Sequence, residues 1–189
     1  MTRARDLAAF VSNADGDIKF DTDTLFIDSS ANRVGIGETT PVSLLHVNEA
    51  STNDAEIHMT NTSSGATASD GLTIFANSGS AGLLYRENSP FRFFTNGSER
   101  MRIDADGRVM IGTTTEGAAN EAEDLTISST GQVGITIRST DSGGGRIYFS
   151  DGTSGTSEYG GYQIYDHSDD AMIFGTGAVE RMRLSLIHI

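Results

Sequence analysis

The sequence predicts an all-β protein built from repeated short antiparallel meanders, and three observations carry that reading. Short runs alternate apolar and polar residues with a period of two, the pattern of a half-buried strand. Asn-Gly, Asp-Gly, Ser-Gly and Gly-Gly pairs separate these runs and supply the positive φ angles of tight turns. The same strands and turns then return further along the chain, the signature of a repeat architecture.

Residues 1–16 form an N-terminal segment in which Leu7 and Phe10/Val11 fall at helical spacing behind a Thr2 cap, so a short helix is expected over Arg3–Val11. Residues 17–50 read as a connector with strands at Thr24–Asp28, Arg33–Gly37 and Ser43–Val47. The first β repeat, residues 51–104, carries strands at Gly71–Phe75, Phe91–Thr95 and Arg100–Asp104. A second connector, residues 105–128, carries Val109–Gly112 and the run Glu121–Ile127. The second β repeat, residues 129–184, carries Gly134–Arg138, Arg146–Phe149, Tyr162–Tyr165, Ala171–Phe174 and Glu180–Leu184. Residues 185–189 (SLIHI) depart from the pattern and read as an atypical tail at a truncation point.

The repeat is visible residue by residue. Gly97–Ile103 (GSERMRI) returns as Gly177–Leu184 (GAVERMRL), and Phe26–Gly37 returns as Arg102–Gly112. Ile57–Gly65 parallels Ile135–Gly143, and Phe94–Gly97 parallels Phe174–Gly177. The chain is therefore two copies of one unit preceded by the connector half of a third. Small β units bury too little surface to be comfortable alone, so such units stack or oligomerise, and an elongated, fibre-like arrangement is expected.

Composition points the same way. Leu, Ile, Val and Phe make up 41 of 189 residues, about 22%, barely above the level expected of a disordered chain, so a monomer builds only a thin core. With 26 Asp and Glu against 13 Lys and Arg, a nucleic-acid partner is not expected, because phosphate binding needs clustered cations. The absence of Cys removes disulfides, thiolate zinc sites and a cysteine nucleophile together. Near the start the longest apolar stretch is Leu7–Val11, short of a signal-peptide core and far short of a membrane span, so no membrane insertion is expected.

The run Gly16–Asp28 (GDIKFDTDTLFID), the connector Arg33–Pro41 (RVGIGETTP) leading into Leu45-His46-Val47, and the two Glu-Arg-Met-Arg strands resemble the repeat regions of tail fibres and related virion structural proteins of tailed bacteriophages. The resemblance covers roughly Asp17 to Leu184. It implies a homotrimeric β-rich fibre segment in the virion, assembled in the host cytoplasm, that contacts other tail or baseplate proteins and supports adhesion to a host-surface glycan or protein. The second connector departs from the pattern, since it lacks the proline and replaces Leu-His-Val with Glu121–Ile127. Nothing in the chain resembles the chaperone domain that ends many relatives. Two other functions fit the same features: a polysaccharide depolymerase spike and a cellular surface adhesin with similar repeats.

Candidate functional residues follow from residue type and position. Strict alternation places Glu99, Met101 and Ile103 on one strand face and Arg100 and Arg102 on the other, with Arg181 and Arg183 repeating the arrangement. These four arginines are candidates for salt bridges to adjacent chains, the bland alternative being a solubilised edge strand. Tyr85 and Phe91 bound the loop Tyr85–Phe91, and Tyr159 and Tyr162 lie in the glycine-rich loop Ser154–Tyr162; these rings are offered for receptor contact, or they cover the repeat core. No catalytic residue is expected: the candidates for glycosidase work are Asp166, Asp169 and Asp170 beside His167, and they lie in a polar turn. No metal or cofactor is expected either. Asp104-Ala105-Asp106-Gly107 puts its glycine too early for a calcium loop, and Asn13–Asp23 reads as loop in the same way. His46, His58, His167 and His188 are scattered, and Gly35-Ile36-Gly37 and Gly143-Gly144-Gly145 lack the Lys-Ser/Thr of a phosphate loop.

Overall fold

The computed structural model describes residues 18–20, 24–51 and 53–185, so the helix expected over Arg3–Val11 lies outside the described residues. The described chain is all-β, with several small sheets and no closed barrel. It divides into two compact units, Met1–Thr126 and Ile127–Ile189.

In the first unit, β1 (Ile18–Phe20), β2 (Leu25–Asp28), β3 (Arg33–Ile36) and β4 (Leu45–Val47) form one sheet in chain order. The β2–β3 hairpin closes because the Asp28 carboxylate accepts hydrogen bonds from the N–H groups of Ser30 and Ala31, while Asn32 adopts φ 56°. β4 then runs parallel to β3, pairing Val34 with Leu45, which departs from a purely antiparallel meander. Phe26 is buried opposite Gly35. A side chain at Gly35 would collide with the Glu38 carbonyl, so the bulk of this cross-strand pair comes from Phe26 alone.

β5 (Ala55–Met59), β6 (Leu72–Ala76) and β7 (Ala81–Tyr85) form a three-stranded antiparallel sheet. Neither β5 nor β7 was expected from the sequence. β5 does alternate, and β7 is a short apolar run opened by Ala-Gly. Thr73 near the centre of β6 is fully buried, and among the described residues its hydroxyl has no hydrogen-bond partner. Thr73→Val keeps the shape and removes a desolvated hydroxyl, so it is expected to stabilise the protein by about 1 kcal/mol. Urea denaturation checks this, and a destabilised Val variant would mean that the hydroxyl is satisfied.

β8 (Phe91–Thr95), β9 (Ser98–Ile103), β10 (Val109–Ile111) and β11 (Leu125–Ile127) form the third sheet, in the order β11-β10-β9-β8. The β9–β10 hairpin repeats the first connector: the Asp104 carboxylate accepts from the N–H groups of Asp106 and Arg108. The second connector reaches the same place by a different sequence. The Val109 N–H donates to the Asp124 carbonyl as the Val34 N–H donates to Leu44, so Leu125-Thr126-Ile127 takes the seat of Leu45-His46-Val47. Met110, the counterpart of Gly35, is buried opposite Arg102.

In the second unit β12 (Gly144–Phe149), β13 (Gly161–Asp166), β14 (Ala171–Thr176) and β15 (Val179–Ser185) form a four-stranded antiparallel meander in chain order, with a 3-10 turn at Gly155–Tyr159. Its core is Ala171 and Ile173 of β14. The strand expected at Gly134–Arg138 does not form, because those residues have no strand partner. The buried apolar residues of the described chain are Phe26, Met110, Ala171 and Ile173, the thin core that the composition foretold.

Candidate interaction surfaces

The two Glu-Arg-Met-Arg strands fold alike, but not by strict alternation. In the first, Phe93 faces Met101 and Phe94 faces Glu99, leaving Arg100 as the extra residue of a β-bulge. In the second, Phe174 faces Met182 and Gly175 faces Glu180, so Arg181 is the extra residue. The preceding turns also match, with both central residues left-handed: Asn96 and Gly97 at φ 50° and 70°, Gly177 and Ala178 at 61° and 58°.

The bulge corrects the expected faces, because the inserted residue shifts Glu99 onto the side that carries Arg102. Glu99 is bonded there to the Arg102 guanidinium and lies 3.8 Å from that of Arg92. Glu180 and Arg183 repeat the pair at 3.0 Å, and Arg183 also meets Asp169 at 3.1 Å. Arg102 and Arg183 are therefore engaged within their own chain. Arg100 and Arg181 instead donate to the hydroxyls of Thr95 and Thr176, at 2.9 and 3.2 Å, and among the described residues neither forms an ion pair.

The hydrogen bond from Arg102 holds the Glu99 carboxyl below the usual glutamate range, with the charges of Arg102 and Arg92 reinforcing it against desolvation. Arg183 does the same to Glu180. A folded-state pKa below the unfolded one gives stability that is present above pH ~4.3 and is lost as pH falls through the depressed value. Stability to urea is therefore expected to drop between pH 5 and the depressed carboxylate pKa values. Glu99→Gln/Glu180→Gln should flatten that slope, and an unchanged slope would show that the two pairs contribute nothing.

Cross-strand register sorts the remaining side chains into faces. In β5–β7, one face consists of Ala55, Ile57, Met59, Leu72, Ile74, Ala76, Ala81, Leu83 and Tyr85, without a charge or a polar chain apart from the tyrosine hydroxyl. Ile57, Met59, Ile74 and Leu83 are 41–55% exposed. In β8–β10, Phe93, Ile103 and Ile111 are exposed on a second such face. In the second unit, Ile147, Phe149, Met172, Phe174, Val179, Met182 and Leu184 share one face with Gln163 and Tyr165. Each sheet of the repeats thus has an uncharged apolar side that its own chain leaves in water.

The aromatic candidates sit differently from the loop positions expected of them. Tyr85 ends β7 and Phe91 begins β8, their rings 5.8 Å apart, and the Tyr85 hydroxyl bonds Ser89 at 2.8 Å. Tyr162 lies within β13 and its ring covers the site where a Gly175 side chain would stand. Tyr159 ends the 3-10 turn, 6.1 Å from the Tyr148 ring, and is 37% exposed.

The acidic turns are occupied by the chain itself. Asp166 accepts from the N–H and hydroxyl of Ser168, Asp170 accepts from the Tyr165 hydroxyl at 3.1 Å, and Asp169 meets Arg183. Arg108 reaches Asp104 at 2.8 Å, Asp106 at 2.9 Å and Glu123 at 3.6 Å. The Asp104 turn is thus tied to a guanidinium. The structure brings together the arginines and carboxylates of the repeated strands, and the residues of the apolar faces of the β5–β7 and β12–β15 sheets, Tyr85 apart, were not among the site residues expected from the sequence. The alternation of β5 and β6 was the signal that pointed to them. No family model matches the chain, and no curated protein matches it.

Proposed function

We propose that this chain is a non-enzymatic structural segment of a tailed-bacteriophage tail fibre, held as a homotrimer and supporting adhesion to the host surface. The observation that carries the reading is the uncharged apolar face left open on the repeat sheets. A patch of this kind on a soluble chain marks an interaction surface, and a thin core needs neighbours to supply the missing burial. The Glu-Arg-Met-Arg strands with matching bulges support a periodic object, as does the resemblance of the connectors to fibre repeats. A closed ring of identical chains buries the same face on each copy. Within it, Arg100 and Arg181 have donors free to meet carboxylates of an adjacent chain, and Tyr159 is the ring best placed to meet a receptor.

The test is solution mass by light scattering together with negative-stain images. A mass of three chains and elongated particles are expected. A compact monodisperse particle of 20.0 kDa would overturn the proposal.

A further inference from the structure

The two repeats share strand register but differ in two pairings: β13 pairs with β14 where their counterparts β7 and β8 lie in separate sheets, and β6 has a preceding partner strand that β12 lacks. β6 meets β7 through Leu72–Tyr85 and Ile74–Leu83, and β12 meets β13 through Gly145–Tyr165 and Ile147–Gln163. β12 is therefore the counterpart of β6, with Gly145 standing for Leu72 and Ile147 for Ile74. In the first repeat β6 has a second neighbour, β5, which places Ile57 opposite Ile74 and Met59 opposite Leu72. In the second repeat β12 is an edge strand.

The counterpart of β5 is present in the sequence. Ile135 corresponds to Ile57 and Ile137 to Met59, and Val133, Ile135 and Ile137 alternate with polar or small residues as a half-buried strand does. In the isolated chain this segment has no strand partner, and Ile135 is 71% exposed. One contact of the missing pairing is nevertheless in place. The Ile137 Cγ2 lies 3.3 Å from where a Gly145 Cβ would stand, and Ile137–Gly145 is the counterpart of Met59–Leu72. The connection from Ser139 to Gly143 turns back through a hydrogen bond from the Gly143 N–H to the Thr140 carbonyl, within the usual length of a hairpin loop.

We propose that Gly134–Arg138 is a fifth strand of the second sheet, which zips onto the free edge of its own β12 with Ile135 opposite Ile147 when a second copy of the chain covers the apolar face that it completes. This rests on the oligomeric reading above. In that register Val133 stands opposite Phe149 and Ile137 opposite Gly145, so all three apolar residues join the face of Ile147, Phe149, Met182 and Leu184. Alone, the strand would order several residues and still leave those side chains in water, so pairing gains little. With a second copy on the face, the same ordering buries them.

The choice of occupant follows from charge and area. The chain carries a formal net charge of −13, so two copies repel wherever their charged surfaces meet, and this face carries no ionised group. The exposed parts of Ile147, Phe149, Val179, Met182 and Leu184 together with Val133, Ile135 and Ile137 amount to roughly 800 Å², about what one partner contributes to a stable interface.

The chain has no cysteine, so a single introduced pair reports the register cleanly. The full chain carrying Ile135→Cys/Ile147→Cys would be oxidised mildly above and below its assembly concentration, with light-scattering mass read in parallel and the disulfide located by peptide mapping. The expected result is a same-chain disulfide in the assembled protein that forms at least tenfold more slowly in the dissociated chain. In the unmodified chain, amides of Gly134–Arg138 should exchange at least tenfold more slowly when assembled. A disulfide between chains, or none in the assembled protein, overturns the strand. Equal rates in both states overturn its coupling to assembly. A chain monomeric at every concentration overturns the oligomeric reading on the mass measurement alone, and the disulfide and exchange data then judge the strand separately.

Discussion

Met110→Ala is expected to cost about 2–5 kcal/mol, a large share of the ~5–15 kcal/mol that holds an ordinary domain. Met110 is only 2% exposed, on the central strand β10, opposite Arg102 and on the sheet face that carries the Glu99–Arg102 pair. Few other apolar side chains of the described chain are so enclosed, so the surroundings have little with which to collapse into the space. The matching site in the first connector cannot compensate by analogy. Its bulk comes from Phe26, and Gly35 is pinned against the Glu38 carbonyl. Met110→Leu, close in volume, is expected to cost under about 1.5 kcal/mol. Thermal and urea denaturation of the two variants checks the pair. An Ala variant within about 1 kcal/mol of the parent would show that the β8–β11 sheet does not depend on this side chain.

Ile74→Asp is expected to weaken the proposed assembly at least about 30-fold while leaving the separate chain folded. Ile74 lies on the middle strand of the β5–β7 face, flanked by Ile57 and Leu83, and is 41% exposed in the single chain. A carboxylate there keeps contact with water before association. Once a second copy covers the face, it is desolvated without a cation on either side. Even about 2 kcal/mol of that penalty weakens association roughly 30-fold, and the cost recurs at every copy. Light scattering of Ile74→Asp should return the mass of one chain, with its circular dichroism retained. Glu56→Gln, on the opposite face of β5, should leave the oligomer intact. An Ile74→Asp protein that keeps the parent mass would remove this face from the interface.

Much of the architecture was legible because it is local. Alternation marked β2, β3, β8, β9, β10 and β14, and the Asp28 and Asp104 turns followed from side chains that bond their own backbone two to four residues on. The Glu-Arg-Met-Arg repeat foretold two strands of like structure, and they share even the hydrogen bond from the bulged arginine to the turn threonine. What failed was non-local. The placement of Glu99 with Met101 assumed unbroken alternation, whereas a bulge is set by how the partner strand meets the turn. β7 was missed because Ala-Gly-Leu-Leu-Tyr does not alternate and pairs only because β6 lies beside it. Gly134–Arg138 has the pattern of a strand and no partner in the single chain.

The sequence by itself determined the all-β class, the repeat, the turns and the scarcity of core, because these depend on residue type and short-range spacing. The tertiary structure alone decided which strands pair, that β4 runs parallel to β3, that Arg102 and Arg183 are tied to carboxylates of their own chain, and that whole sheet faces stay apolar and open. The physical reason is that a face is a property of register. Apolar side chains far apart in the chain become one surface only when hydrogen bonding between strands sets them side by side.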